Sequence, residues 1–437
     1  MNPWKQLFLM FAVVFLLVGC TAVPEQKLTP QTTVRTEPTT MPTETGSETP
    51  TLHTTPNPPD SEAEMTTVPD SEVESVTMDA VETMLWQMTL EEQVAQMFVV
   101  TLDALSDATD SLKTVDETVR NSFSRIPVGG VLCMGENLKE PKQTMALCDD
   151  LQSLSMERLG LPLFLCVDEE GGTVARISGN PSFGLTPIPP MSEIGATGDS
   201  KQASEIGRTI GIYLSALGFN VDFAPDADVL TNPQNRVVGS RSFGSSAERV
   251  TEMALAFSKG LSERGVLPCW KHFPGHGGTK EDSHKGVAIL HASMEELLQS
   301  EELSPFLHAA RAGVPMIMTG HIAVPEAVGT TYPASLNGKL IGILRGPGVE
   351  YDGLLITDSL GMRAITQLVS PAEAAVLAVE AGNDLLLLSD HLEEAYQAVL
   401  TAVADGRISE ERINESVRRI LRCKQALEAE ERNSEWQ

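Results

Sequence analysis

Basic residues are scarce in this chain. Lys and Arg number 31 against 60 Asp and Glu in 437 residues, a formal net charge of −29. So acidic a protein repels phosphate backbones, which excludes nucleic acid as a partner. Cysteine is sparse too, with six in all and no Cys-x-x-Cys pair. Beyond Cys20, the cysteines are Cys133, Cys148, Cys166, Cys269 and Cys423. An odd, widely spread set argues against a disulfide framework and against a zinc–thiolate site. Cys133 and Cys166 lie in apolar runs and read as buried thiols. The apolar run at 7–18 is shorter than the roughly 20 residues of a membrane-spanning helix. His-Glu-x-x-His is absent, so the commonest helical zinc motif is missing.

The run at 7–18 follows Lys5 and fits the apolar segment of a secretory signal. It ends in Leu-Val-Gly-Cys at 17–20, which resembles the lipobox of bacterial lipoproteins. That resemblance implies a signal peptide over 1–20 and lipidation of Cys20 as the first residue of the mature protein. An ordinary signal peptide or an uncleaved anchor is the plainer alternative. Residues 21–76 are rich in Thr, Pro and Glu and hold few large apolar side chains. Such a segment cannot bury enough surface to fold, and it reads as a disordered, self-repelling tether. The expected location is the extracellular face of the bacterial cytoplasmic membrane, with the lipid anchor as the sole membrane contact.

Residues 77–430 carry the pattern of a folded domain. Thr89-Leu90-Glu91-Glu92 matches a capping box within a helix expected over about 78–97. Strand-like apolar runs follow at 97–100, 129–134, 162–168, 220–225, 266–272, 315–321, 353–358 and 384–389. Between them lie stripes of helical period. Ile206, Ile210, Tyr213, Leu214 and Leu217 end at Gly218; Val250, Met253, Ala254, Phe257 and Leu261 end at Gly265. Ile413, Val417, Ile420 and Leu421 mark a helical tail. Eight strands alternating with helices predict an α/β fold, a (β/α)8 barrel forming one catalytic domain. A doubly wound open sheet is the runner-up. In a barrel, functional groups gather where strands end. Asp168, Lys271-His272, His321 and Asp358 all fall there, on different strands.

The most polar stretch is KHFPGHGGTKEDSHKG, residues 271–286. His272 and His276 have a zinc spacing, but Pro274 and Gly275 break the helix that would use it, so no metal is expected. Asp282 and His284 are two apart and point the same way in an extended segment. The carboxylate can then orient the imidazole and raise its pKa, giving an acid/base dyad. An isolated Asp-x-His is more often a solvated loop. The rest of the chain changes that weighing.

KHFPGHG followed by DSH, with TDSLGM at 357–362, resembles glycoside hydrolase family 3, nearest to its β-N-acetylglucosaminidase branch of the NagZ type. MTLEEQVAQMF, VDEEGGTVARI, FAPDADV, GSRSFG and IMTGHI occur in the family's order. The resemblance implies Asp358 as nucleophile, His284 as general acid/base and Asp282 as its partner. It implies that Asp168, Arg176, Arg241, Lys271 and His272 hold the terminal sugar. Glu169 and Glu170 are left out of that site, and Asp168 and Asp228 have bland readings as loop ties. Gly278, Lys285 and the additional acid Asp226 depart from the family's usual pattern. With only a helical tail expected after the barrel, no second α/β domain supplies the acid/base, which favours the glucosaminidase branch. The implied function is retaining hydrolysis of terminal β-linked N-acetylglucosamine from peptidoglycan fragments or chitooligosaccharides, by a monomer without cofactor. A phosphorylase on the same scaffold and a non-catalytic wall-glycan-binding lipoprotein are the alternatives.

Overall fold

A computed structural model of the chain describes residues 79–106, 110–283 and 285–434. The signal segment, Cys20, the tether at 21–76 and His284 lie outside the described residues. Eight strands form one parallel sheet: β1 (Phe98–Thr101), β2 (Gly130–Leu132), β3 (Phe164–Val167), β4 (Val221–Asp222), β5 (Leu267–Phe273), β6 (Met316–Thr319), β7 (Leu354–Thr357) and β8 (Leu386–Leu388). Each pairs with the next in chain order up to β7, and β8 returns to pair with β1. The seam between β7 and β8 is held by one bridge, Ile356 to Leu385, and by Thr357 N donating to Leu385 O at 3.0 Å. The sheet is thus a nearly closed barrel. An open doubly wound sheet would reverse its strand order at a switch point, and this one does not.

All eight apolar runs overlap barrel strands, because strands covered on both faces need apolar side chains throughout. Phe98, Val99 and Val100 are buried without alternation. A long helix follows each strand: Glu117–Arg125, Pro141–Leu159, Ser200–Leu217, Ala247–Ser262, Ser304–Arg311, Gly338–Arg345, Pro371–Ala381 and Leu392–Ala404, with shorter helices in some of the connections. Gly218 ends the third in the left-handed region at φ 94°. The fourth stops at Ser262, with Gly265 taking φ 70° three residues later. The single helix expected over 78–97 is two, Ala80–Gln87 and Leu90–Gln96. The capping box is the reason. Thr89 Oγ1 accepts from Glu92 N at 3.3 Å while Glu92 Oε2 accepts from Thr89 N at 3.2 Å, which starts a new helix there. Cys133, Cys148, Cys166 and Cys269 are buried free thiols, and burial pushes Cys133 up to about 12. Among the described residues, no helix is long and apolar enough to cross a membrane.

The tail helix Glu410–Ser434 packs at the end of the barrel where the strands begin, contacting Gln96, Phe164 and Asp384. It is tied down by Asp384, which accepts from Ser416 Oγ at 2.7 Å, Arg419 Nη1 at 3.3 Å and Leu355 N at 2.9 Å, and which also pairs with Arg345. Lys424 enters the barrel floor from this helix. It is 1% exposed, donates to Gln96 Oε1 at 2.7 Å, and lies 5.1 Å from the Phe164 ring centroid. Burial lowers its pKa from the usual 10.5 to about 7. Between those two pH values the unfolded chain binds more protons than the folded one, so this group's contribution to stability rises with pH. Below about pH 7 the full cost of burying the charge is borne. Lys424→Met should therefore raise the unfolding free energy, read from urea titrations, more at pH 6 than at pH 9.5, by a difference of about 3 kcal/mol. Equal gains at the two pH values would contradict a buried titrating ammonium.

Candidate active site

Six of the residues expected to act together line one cavity of about 330 Å³ at the strand ends: Asp168, Arg176, Arg241, Lys271, His272 and Asp358. Asp168 follows β3, Lys271 and His272 close β5, and Asp358 follows β7. Arg176 and Arg241 come from the segments after β3 and β4. Asp282 is not part of that lining, although its neighbour Ser283 is. Asp282 pairs with Lys285 Nζ at 3.0 Å, and its carbonyl accepts from Lys285 N at 2.8 Å.

The cations of the cavity are fixed by carboxylates. Lys271 Nζ lies 2.7 Å from Asp168 Oδ1 and 2.6 Å from Glu170 Oε1. Burial works against its charge, but these two carboxylates outweigh it and hold Lys271 above the usual lysine range. Arg241 meets Glu170 with two parallel bonds of 2.8 Å, from Nε and Nη2. Its Nη2 also lies 3.2 Å from Asp226 Oδ2. Glu170 is 1% exposed, and burial would raise its pKa; Arg241 and Lys271 reverse that and keep it well below the carboxylate range. Asp226 has the opposite outcome. Burial dominates over Arg241, Asp228 adds repulsion, and the carboxyl is pushed up to about 7.

The sequence leaves Glu170 out of the site, but the structure places it in the cavity lining. Glu170 is the hub of the basic groups, whereas Glu169 faces away. Glu169 accepts from Ile177 N at 2.8 Å, Ser178 N at 2.9 Å and Tyr213 Oη at 2.7 Å, bracing the segment behind β3. A signal was present: Asp168 and Glu170 are two apart, so an extended chain turns them to one face and Glu169 to the other. Asp226 and Asp228 were likewise outside the expected site. Asp228 Oδ2 lies 2.8 Å from His272 Nδ1, and its Oδ1 accepts from His276 N at 2.6 Å and His272 N at 3.2 Å. Burial lowers the basicity of His272, but Asp228 more than compensates and raises its pKa. Ligating atoms of Asp226, Asp228 and His272 lie within 4.8 Å of one another. These groups are engaged with each other and with Arg241.

Asp358 is held at its backbone by Asp358 N donating to Thr319 O at 2.9 Å, and at its side chain by Ser359 N donating to Oδ1 at 2.8 Å. Burial raises its pKa, yet His321, His272, the Ser359 amide and Lys271 together lower it, so the carboxylate is ionised at neutral pH. His321 does not line the cavity. It spans Ser335 Oγ at 2.9 Å and Ser359 O at 2.8 Å, positioning the turn that carries Asp358. His276 bridges Thr279 Oγ1 at 2.7 Å and Ser283 Oγ at 3.0 Å, and burial lowers its pKa. It therefore ties the loop leading to 282–284 as a neutral ring. Glycine is required in that loop: Gly275 has φ 123°, and a Cβ on Gly277 would stand 1.8 Å from Val229 O.

The arrangement is an ionised carboxylate facing a fixed set of cationic donors, in a space at the small end of ligand-site volumes. It suits a neutral, hydroxyl-rich ring. Known proteins resemble the chain in sequence and fold. The chain is 33% identical over 350 residues to beta-hexosaminidase A of Pseudoalteromonas piscicida, covering 74% of this chain and 57% of that one. It is 35% identical over 278 residues to beta-hexosaminidase LpqI of Mycobacterium tuberculosis, covering 60% and 68%. A solved glycoside hydrolase family 3 beta-N-acetylglucosaminidase from Paenibacillus sp. str. FPU-7 matches with a TM-score of 0.71 at 39% identity, covering 78% of this chain and 63% of that one. The chain thus spans less than two thirds of the length of the first and third of these proteins. The description "Glycosyl hydrolase family 3 N terminal domain" matches residues 89–423, from the capping box before β1 into the helix that seals the barrel floor, and the chain belongs to that family.

Proposed function

We propose that the protein is a retaining exo-β-N-acetylglucosaminidase that removes terminal β-linked N-acetylglucosamine from peptidoglycan fragments or chitooligosaccharides. The observation that carries the reading is Asp358, an ionised carboxylate in a cavity of about 330 Å³ ringed by Lys271, Arg241, His272 and Arg176. Relatives named beta-hexosaminidase and beta-N-acetylglucosaminidase support the same sugar class. In the first step Asp358 attacks the anomeric carbon through the oxygen that Ser359 N does not hold. The glycosidic C–O bond breaks, the leaving oxygen takes a proton from His284, and a glycosyl ester of Asp358 remains. In the second step His284 takes a proton from water, the water oxygen bonds to the anomeric carbon, and Asp358 leaves as carboxylate. Two inversions give retention. Asp282 orients His284 and stabilises its charged form. Arg241 and Lys271, already fixed by Glu170, donate to the sugar's hydroxyl and acetamido groups without reorganising.

The test is release of nitrophenol by the full-length chain from the β-N-acetylglucosaminide and the β-glucoside. Release from the acetamido sugar should exceed the other by at least about tenfold. No release from either would sink the glycosidase reading and leave a wall-glycan-binding lipoprotein. In kcat/KM, which reports the first step, His284→Ala should cost about tenfold or less on the nitrophenyl glycoside, whose leaving group needs no proton. On an unactivated chito-disaccharide the same change should cost about 10³-fold. Equal losses on the two substrates would remove His284 from proton transfer. In phosphate buffer, N-acetylglucosamine 1-phosphate as product would replace hydrolysis by phosphorolysis. Partition of the activity with the membrane fraction is the readout for the proposed anchor at Cys20.

A further inference from the structure

The rim of the catalytic cavity is uneven. The chain passes from β5 to the helix behind it through residues 274–303, and from β6 through 320–337. From β8 it enters the helix Leu392–Ala404 after Ser389, Asp390 and His391 alone. His391 makes this tight turn at φ 55°, a left-handed conformation costly for a residue with a Cβ. At this low point lies a second cavity of about 600 Å³, and Ser389 lines both cavities. Its other walls are the segment after β1, the helix Glu117–Arg125 and the first turn of the helix Leu392–Ala404.

An exo-glycosidase cleaves between the ring in its pocket and a leaving group that is covalently attached and has to lie outside. We propose that the groove past Ser389 is the subsite for that leaving group, and that it selects a neutral or ammonium-bearing sugar over one carrying a carboxylate. This rests on the glycosidase reading of the catalytic cavity and names the substrate class within it.

The selection follows from charge. Asp103, Asp390, Glu393 and Glu394 line the groove against one guanidinium, Arg125. Arg125 Nη1 lies 3.4 Å from Glu393 and is not a dedicated anion receptor. Asp103 is fixed by Leu112 N at 2.7 Å and Asn137 Nδ2 at 3.1 Å. Asp390 and Glu394 flank the His391 ring at 3.9 and 3.3 Å, and their side chains remain 62% and 47% exposed. They can accept bonds from sugar hydroxyls or an ammonium group, whereas a carboxylate brought among them meets an excess of like charge, four carboxylates against one guanidinium among the described lining residues, and that guanidinium is already paired with Glu393. Asn121 and Ser122 supply neutral donors on the facing wall.

The experiment compares three β-1,4-linked disaccharides with N-acetylglucosamine at the non-reducing end. The second residue is glucosamine, N-acetylglucosamine or N-acetylmuramic acid, bearing an ammonium, no charge or a carboxylate. Each rate from the full-length chain is divided by the same protein's rate on the nitrophenyl glycoside, which corrects for folding. The expected result is a kcat/KM about tenfold higher for the glucosamine disaccharide than for the muramic acid one, shrinking at high salt. In a chain carrying Asp390→Asn and Glu394→Gln the gap should fall to about threefold or less. A gap of unchanged size in that variant would assign the preference to the bulk of the lactyl group and overturn the proposal. A wild-type preference for muramic acid would overturn it directly. Failure on the nitrophenyl glycoside would instead remove the glycosidase reading, and the subsite with it.

Discussion

Replacing Asp358 by Ala should lower hydrolysis of the nitrophenyl β-N-acetylglucosaminide by on the order of 10⁴-fold, with the fold intact. The size of the loss reflects what Asp358 alone supplies. In the proposed mechanism Lys271, Arg241 and His272 bind and polarise, but none can form the ester that divides the displacement into two steps. The fold should survive because Asp358 Oδ1 receives a single bond, from Ser359 N, and the backbone bond of Asp358 N to Thr319 O is kept. The shortened side chain leaves room beside the anomeric carbon. Azide at high concentration should then restore nitrophenol release and give the α-glycosyl azide, the product of one inversion. Activity within tenfold of wild type, or a β-azide product, would rule out Asp358 as nucleophile.

The second large effect is expected at Glu170. Glu170→Gln keeps the shape but removes the negative charge that Arg241 and Lys271 share. An amide cannot accept two parallel bonds from a guanidinium, so Arg241 loses its orientation. Lys271 retains Asp168 at 2.7 Å and Arg241 retains Asp226 at 3.2 Å, so neither cation is stranded. The expected outcome is a loss of on the order of 10²- to 10³-fold in kcat/KM on the nitrophenyl glycoside. A stability loss of about 3 kcal/mol, read from urea unfolding, should accompany it. Glu169→Gln is the control. Its carboxylate is as buried, but its bonds run to Ile177, Ser178 and Tyr213, away from the cavity. It should lose stability while kcat/KM stays within about threefold. If the two variants lost activity equally, the assignment of Glu170 as the hub of the basic groups would be wrong.

Both expectations depend on contacts between residues far apart in sequence. Lys271 and Asp168 are separated by 103 positions, Arg241 and Glu170 by 71. They meet because β3, β4 and β5 are neighbours in a nearly closed ring and each delivers its polar residue at the same end.

By itself, the sequence determined the layered organisation. Strands buried on both faces must be apolar runs and amphipathic helices must carry stripes, so eight βα units were countable before any contact was known. It also determined where the polar groups of the cavity sit, since Asp168, Lys271, His272 and Asp358 are polar interruptions at the ends of those runs. Tertiary structure decided which carboxylate serves which cation. Composition cannot separate Glu169 from Glu170; the pleat turns one into the cavity and the other toward Tyr213. It decided that Asp226 and Asp228 stand behind Arg241 and His272, since such pairings exist only once β4 and β5 lie side by side. And it decided the uneven rim, because the short turn after β8 becomes a groove only between its neighbours in the ring.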